Sequence, residues 1–248
     1  MNLNLVENGF DFRWLADRVY EKYEISNKDA QGAVLMLLVF IRQSKINPNM
    51  FLVLPKLGDL AWHECICRTK YYHNFCEVYF GGYLHHVATS KKASSCYYDG
   101  YNYMREVIRR DLPQWVSQMD LDAGWNNRAY PLREKMQTID FIDAAGQDDY
   151  FDSSKLPHPT DFEWLTHRVA MRYSISIAAS SVIVDKYTTM FFQGDATAFS
   201  LPLEKHIDAV WQEHILWTEK YHRDCNRLYG KYLHRKHIPN KTAMQEVA

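Results

Sequence analysis

Apolar residues recur at three- and four-residue spacing along most of this chain. The first clear run is Phe12 to Tyr23 (FRWLADRVYEKY), where Phe12, Leu15, Val19 and Tyr23 lie near one helical face with Trp14 alongside. The residues before it read as a polar lead-in. Ser26-Asn27-Lys28-Asp29 supplies capping side chains for a second helix over about Asp29 to Gln43, which Asn47-Pro48-Asn49 stops. Leu54-Pro55 marks the start of a third helix carrying Asp59, Trp62 and His63, since proline suits a first helical turn. A fourth helix holds Tyr72, His73, Cys76 and Tyr79 and breaks at Gly81-Gly82, where glycine can take the left-handed conformation of a C-cap. A fifth is expected near Tyr97 to Arg110, followed by Leu112-Pro113-Gln114-Trp115. No apolar/polar alternation is long enough to build a sheet, so the fold class is all-α.

The pattern is written twice. Trp62 to His86 (WHECICRTKYYHNFCEVYFGGYLHH) returns as Trp211 to Arg235 (WQEHILWTEKYHRDCNRLYGKYLHR) at a shift of 149, pairing Trp62 with Trp211, Tyr72 with Tyr221, His73 with His222, Cys76 with Cys225, Gly81 with Gly230 and His85 with His234. Phe162 to Tyr173 (FEWLTHRVAMRY) repeats the first helix at a shift of 150, matching Trp14 to Trp164, Leu15 to Leu165, Arg18 to Arg168 and Tyr23 to Tyr173. A helix over about Ala178 to Phe192, ended by Gly194-Asp195, repeats the second. Leu201-Pro202 then precedes a helix with Asp208, Trp211 and His214, and Gly230 ends the last one. The expected architecture is two tandem helical-bundle repeats of about four to five helices each: residues 1–115, a connecting helix and linker over 116–160, and residues 161–248. Within the connection, Leu132, Met136, Ile139 and Ile142 have helical spacing, whereas Gly146 to Thr160 is acidic, contains Pro157 and Pro159, and reads as a loop.

Composition narrows the class. Of 248 residues, 47% are hydrophobic and 15% aromatic, which suits a packed globular protein rather than a disordered one. With 29 basic and 30 acidic side chains there is no overall field to attract nucleic acid or an anionic membrane. Lys91-Lys92, Arg109-Arg110 and Lys231 to Lys241 are local basic stretches that read first as solvated surface, so nucleic acid is not the expected partner. Five cysteines, an odd number, with no secretory signal pattern, predict reduced thiols and a cytoplasmic location. The longest apolar run, Ala33 to Ile41, is far short of the roughly 20 residues needed to cross a bilayer.

Candidate chemistry lies in the repeated stretch. Nine of the 11 histidines fall within Asp59 to His86 or His206 to His237, far more than even scatter would place there. Imidazole and thiolate are good ligands for zinc and other transition metals. His73 and Cys76 share a helical face, as do His222 and Cys225, and Asp59 can pair with His63 one turn away. The candidate metal ligands are therefore His63, Cys65, His73, Cys76 and His85, with Gly81 redirecting the chain so that His85 can approach. The competing reading, which takes precedence, makes Asp59, Trp62, Tyr72, Gly81, Asp208, Trp211, His214, Tyr221, Cys225, Gly230 and His234 parts of a packed core, where cysteine is a small hydrophobe and a buried histidine meets a hydrogen-bonding need. There is no phosphate loop, Gly-x-Ser-x-Gly elbow, His-Glu-x-x-His or paired Cys-x-x-Cys. Cys65-x-Cys67 is too tight for a thioredoxin-like motif.

The order Leu-Pro, Asp-x-x-Trp-His, Thr-x-x-Tyr, then Cys, Gly and His resembles the glycine-rich domain-containing protein-like family, on Asp59, Trp62, His63, Thr69, Tyr72, Phe75, Cys76, Gly81 and His85, and again on Asp208, Trp211, His214, Thr218, Tyr221, Cys225, Gly230 and His234. Cys65 stands where that pattern has a second histidine, Gln212 where it has the first, and the glycine-rich region itself is missing. The resemblance implies a helical domain with no catalytic residues to carry over, and an RNA-binding or regulatory role only by way of an added module that this chain lacks. The expected function is a binding or scaffold protein with a protein partner, the balance leaning against an enzyme. The alternative is a His/Cys metal-binding protein or metalloenzyme, and a weaker alternative is an RNA-binding or regulatory protein.

Overall fold

The computed structural model describes residues 4–86, 95–119, 162–192, 199 and 203–235. The protein is all-α. Among the described residues the strands are β1 (Val6–Glu7) and β2 (Phe10–Asp11), an antiparallel hairpin. Its turn is Asn8-Gly9, with φ of 49° and 82°, the two positive angles that a tight type I′ turn demands. The lead-in is thus a folded hairpin rather than a polar tail, and the Asn-Gly pair was its signal.

The helices are α1 (Arg13–Tyr23), α2 (Asn27–Ile46), α3 (Lys56–Cys67), α4 (Thr69–Phe80), α5 (Ser95–Asp111), α6 (Gln114–Ser117), α7 (Glu163–Tyr173), α8 (Ile177–Phe192), α9 (Lys205–Leu216) and α10 (Thr218–Tyr229). Each of α7 to α10 begins 149 or 150 residues after its counterpart among α1 to α4. The ends correspond too: Glu24 and Ser174 close α1 and α7 in the left-handed conformation, and Gly81 and Gly230 follow α4 and α10 with φ of 73° and 64°. The expected helix over Leu132 to Ile142, the Gly146 to Thr160 linker, Lys91-Lys92, Leu201-Pro202, and the basic stretch beyond Arg235 lie outside the described residues.

The chain divides into two compact units, and the division does not follow the sequence repeats. The first comprises Met1–Ile66, Phe75–Leu84 and Ala88–Leu156; the second comprises Cys67–Asn74, His85–Val87 and Pro157–Ala248.

In the first unit α2 is the central element. The Ser26 hydroxyl accepts the Asp29 N–H at 3.0 Å, the capping interaction the sequence announced, and the helix runs to Ile46, a turn beyond the expected end. Ala33 to Ile41 is buried on every face, which requires apolar neighbours all round. α5 turns Tyr97, Tyr101, Met104, Val107 and Ile108 inward. Gly100 is obligatory there, because a Cβ at that position would sit 1.9 Å from the Phe51 carbonyl oxygen. In the second unit α7 to α10 enclose a core of Leu165, Val184, Tyr187, Phe191, Trp211, Ile215 and Tyr221. No helix among the described residues is long and apolar enough to cross a membrane.

Candidate functional site

The signature of the first unit is built on α3. Trp62 is buried and packs on Phe40, with ring centroids 4.7 Å apart. Asp59 and His63, one turn apart, pair at 3.2 Å as their spacing predicted. The residue between His63 and Cys65 is the one that sequence reasoning passed over. Glu64 is fully buried and gathers Lys22 at 2.9 Å, Arg18 at 3.1 Å and the Tyr23 hydroxyl at 2.9 Å, all from α1. Burial alone would raise this carboxyl, but Lys22 and Arg18, with hydrogen bonds from Lys22 and Tyr23, outweigh it and hold the pKa at about 2. The second unit carries the same device: Glu213 on α9 binds Arg168 at 3.0 Å and Arg172 at 3.2 Å on α7. Glutamate standing in both copies between the tryptophan and the next signature residue, with Arg18 matching Arg168, was the available signal.

Three further arrangements occur in the second unit. Asp208 takes a bidentate ion pair from Arg235 at 2.7 and 2.5 Å and a hydrogen bond from Gln212 at 2.8 Å. Gln212, which departs from the expected histidine, is therefore a structural donor. Trp211 Nε1 donates to the Tyr221 hydroxyl at 2.8 Å, and that hydroxyl donates to the Leu233 carbonyl at 2.9 Å, so both indole and phenol are buried without a wasted polar atom. Cys225 lies against them, its thiol pushed up to about 11 by burial, which suits an inert core residue and not a thiolate.

The second arrangement is a buried polar chain. His214 is 2.8 Å from the Tyr187 hydroxyl through Nδ1 and 3.1 Å from Asp224 through Nε2, and Lys220 meets the same Asp224 oxygen at 2.8 Å. Aromatic rings of Phe162, Trp164, Phe191 and Tyr221 surround the imidazole. Desolvation lowers the His214 pKa despite the opposing pull of Asp224, and Asp224, which burial would raise, is lowered by its bonds to His214 and Lys220. No repeat signalled it: 149 residues before His214, Lys220 and Asp224 stand Cys65, Tyr71 and Phe75.

The third is a group of four histidines. His73 stacks on His222 with centroids 5.2 Å apart and planes 2° from parallel; His234 meets His73 at 4.9 Å and His85 meets His222 at 5.2 Å, both edge-on. Tyr232 touches three of the rings. The two repeat-related threonines anchor the outer rings: Thr218 Oγ1 is 3.1 Å from His85 Nδ1, and Thr69 Oγ1 is 3.3 Å from His234 Nδ1. Burial and then the neighbouring imidazoles lower His73 and His222 to about 4, and burial also lowers His85 and His234. At values near 4, His73 and His222 are uncharged at neutral pH.

The five candidate ligands are thus distributed over the two units. His63, Cys65 and Cys76 belong to the first, where both thiols are fully buried. His73 and His85 belong to the second, beside His222 and His234. The helical face that His73 shares with Cys76 is real in sequence, but the histidine's ring contacts are with His222, His234 and Tyr232.

Residues 7–102 match the uncharacterised UCP032817-like family, which is less than half of the chain. No curated protein and no solved structure matches it. The family match overturns the resemblance to the glycine-rich domain-containing protein-like family. The reason is visible in the packing: Trp62, Tyr72 and Cys76 are buried and Gly81 ends a helix, so the motif largely records the needs of a helical hairpin, which unrelated helical proteins share. The RNA-binding expectation that rested on that resemblance goes with it.

Proposed function

We propose that this protein is a non-catalytic binding or scaffold protein composed of two diverged helical repeats, residues 1–115 and 161–248, joined through 116–160, and that its partner is another protein. The observation that carries this reading is the use made of the signature's ionisable residues. Glu64 and Glu213 each tie two cationic side chains of one helix to another, and His214 and Asp224 hold Tyr187 and Lys220 inside a core. Groups so engaged stabilise helix packing. The matched order and spacing of α1 to α4 and α7 to α10, with equivalent ion pairs, support descent from one duplicated unit.

The test is proximity labelling in cells by the full chain fused to a biotin ligase, followed by reconstitution of enriched proteins with the purified chain in the analytical ultracentrifuge. A reconstituted species that sediments faster than either component is the expected result. Failure to reconstitute any enriched protein overturns the reading. So does a turnover that Glu64→Gln and Glu213→Gln abolish while helical content is unchanged.

A further inference from the structure

We propose that His73, His85, His222 and His234 form a site in the second unit for a late first-row divalent cation, zinc being the reference case, held through imidazole nitrogens. Three observations lead there. The site takes one equivalent pair of histidines from each repeat, and the repeats have kept these four while His63 and Cys65 gave way to Gln212 and His214. Three of the six ring pairs have the spacing of a shared ion: two imidazoles on one tetrahedral zinc at about 2.0–2.1 Å place their ring centroids about 5 Å apart, and His73–His222, His73–His234 and His85–His222 lie at 5.2, 4.9 and 5.2 Å.

The threonines supply the outer shell. With Nδ1 of His85 on Thr218 and Nδ1 of His234 on Thr69, Nε2 becomes the ligating nitrogen of each ring, the arrangement by which a hydroxyl or carbonyl orients a metal-bound histidine. An all-nitrogen set suits zinc, copper or nickel rather than calcium or magnesium.

As they stand, no three of these rings bring ligand nitrogens within 4.8 Å of one another. Coordination therefore requires the rings to turn. Turning His73 and His222 about the bond joining ring to Cβ swings their nitrogens while the centroids stay nearly in place, and that torsion is a soft one for histidine. Coordination would therefore fix rings that now stack.

The experiment uses the full chain, stripped with chelator and titrated with cobalt(II) and zinc(II) at neutral pH. One equivalent of cobalt should bind, with the strong visible d–d bands of four-coordinate nitrogen ligation, and zinc should displace it. His222→Gln and His73→Gln should each weaken binding at least tenfold, whereas His63→Gln and the exposed-site variant His167→Gln should leave it unchanged. A measurement without substitutions guards against variants that fail to fold: zinc should protect His73, His85, His222 and His234 from acylation by diethyl pyrocarbonate while His167 reacts as before. No cobalt bands in the wild-type chain overturn the proposal. Binding that survives the paired His73→Gln and His222→Gln substitutions, or protection confined to other histidines, overturns it equally.

Discussion

Replacing Glu64 by glutamine removes one charge from the first unit and almost no volume. The carboxylate it removes is fully buried and holds Lys22 and Arg18 against α3. A carboxyl held at about 2 rather than 4.5 is favoured in its charged form in the folded state by roughly 3 kcal/mol at neutral pH. Removing one member of a buried pair and leaving cations behind costs ~3–5 kcal/mol in general, so two routes to the figure agree. The sign follows from the lowered pKa: the contribution is complete above the unfolded value of 4.5 and disappears as pH falls through the folded value near 2. The gap between wild type and Glu64→Gln should therefore be roughly 3 kcal/mol at pH 7 and about half that at pH 3. Urea unfolding followed by hydrogen-exchange mass spectrometry of α1 and α3 peptides measures it locally, without assuming that both units unfold together. A gap under ~1 kcal/mol at pH 7, or one of constant size between pH 7 and 3, would refute the claim that Glu64 acts as a paired carboxylate.

Trp62→Ala and Trp211→Ala should each cost about 3–5 kcal/mol by chemical denaturation, the range for deleting a buried large aromatic. Thiol counting under denaturing, non-reducing conditions should return five, since none of the five cysteines is in a disulfide; a lower count would contradict the structure. His73 and His222 should titrate near pH 4 in proton-detected NMR, and because their folded values lie below the unfolded 6.5, the second unit should lose stability as pH falls from 6.5 toward 4. Midpoints at or above 6.5 would remove the burial argument for these rings.

What the sequence determined by itself is the local structure. Helical periodicity, the Ser26 cap, Pro55 ahead of α3 and the glycines after α4 and α10 act through neighbours a few residues away, so α1 to α5 and α7 to α10 could be read directly, along with the burial of Trp62 and Trp211. The Asn8-Gly9 hairpin was equally local and equally readable. Tertiary structure alone decided which polar groups meet. Glu64 and Arg18 are 46 residues apart, Tyr187 and His214 are 27 apart, and His85 and Thr218 are 133 apart; no periodic rule links such positions. The candidate ligands show the difference most sharply. Spacing along α4 put His73 with Cys76, but a helix fixes only the direction of a side chain, and the company it keeps is set by the elements packed against that direction. For Cys76 that is a dry core, and for His73 it is three other imidazoles.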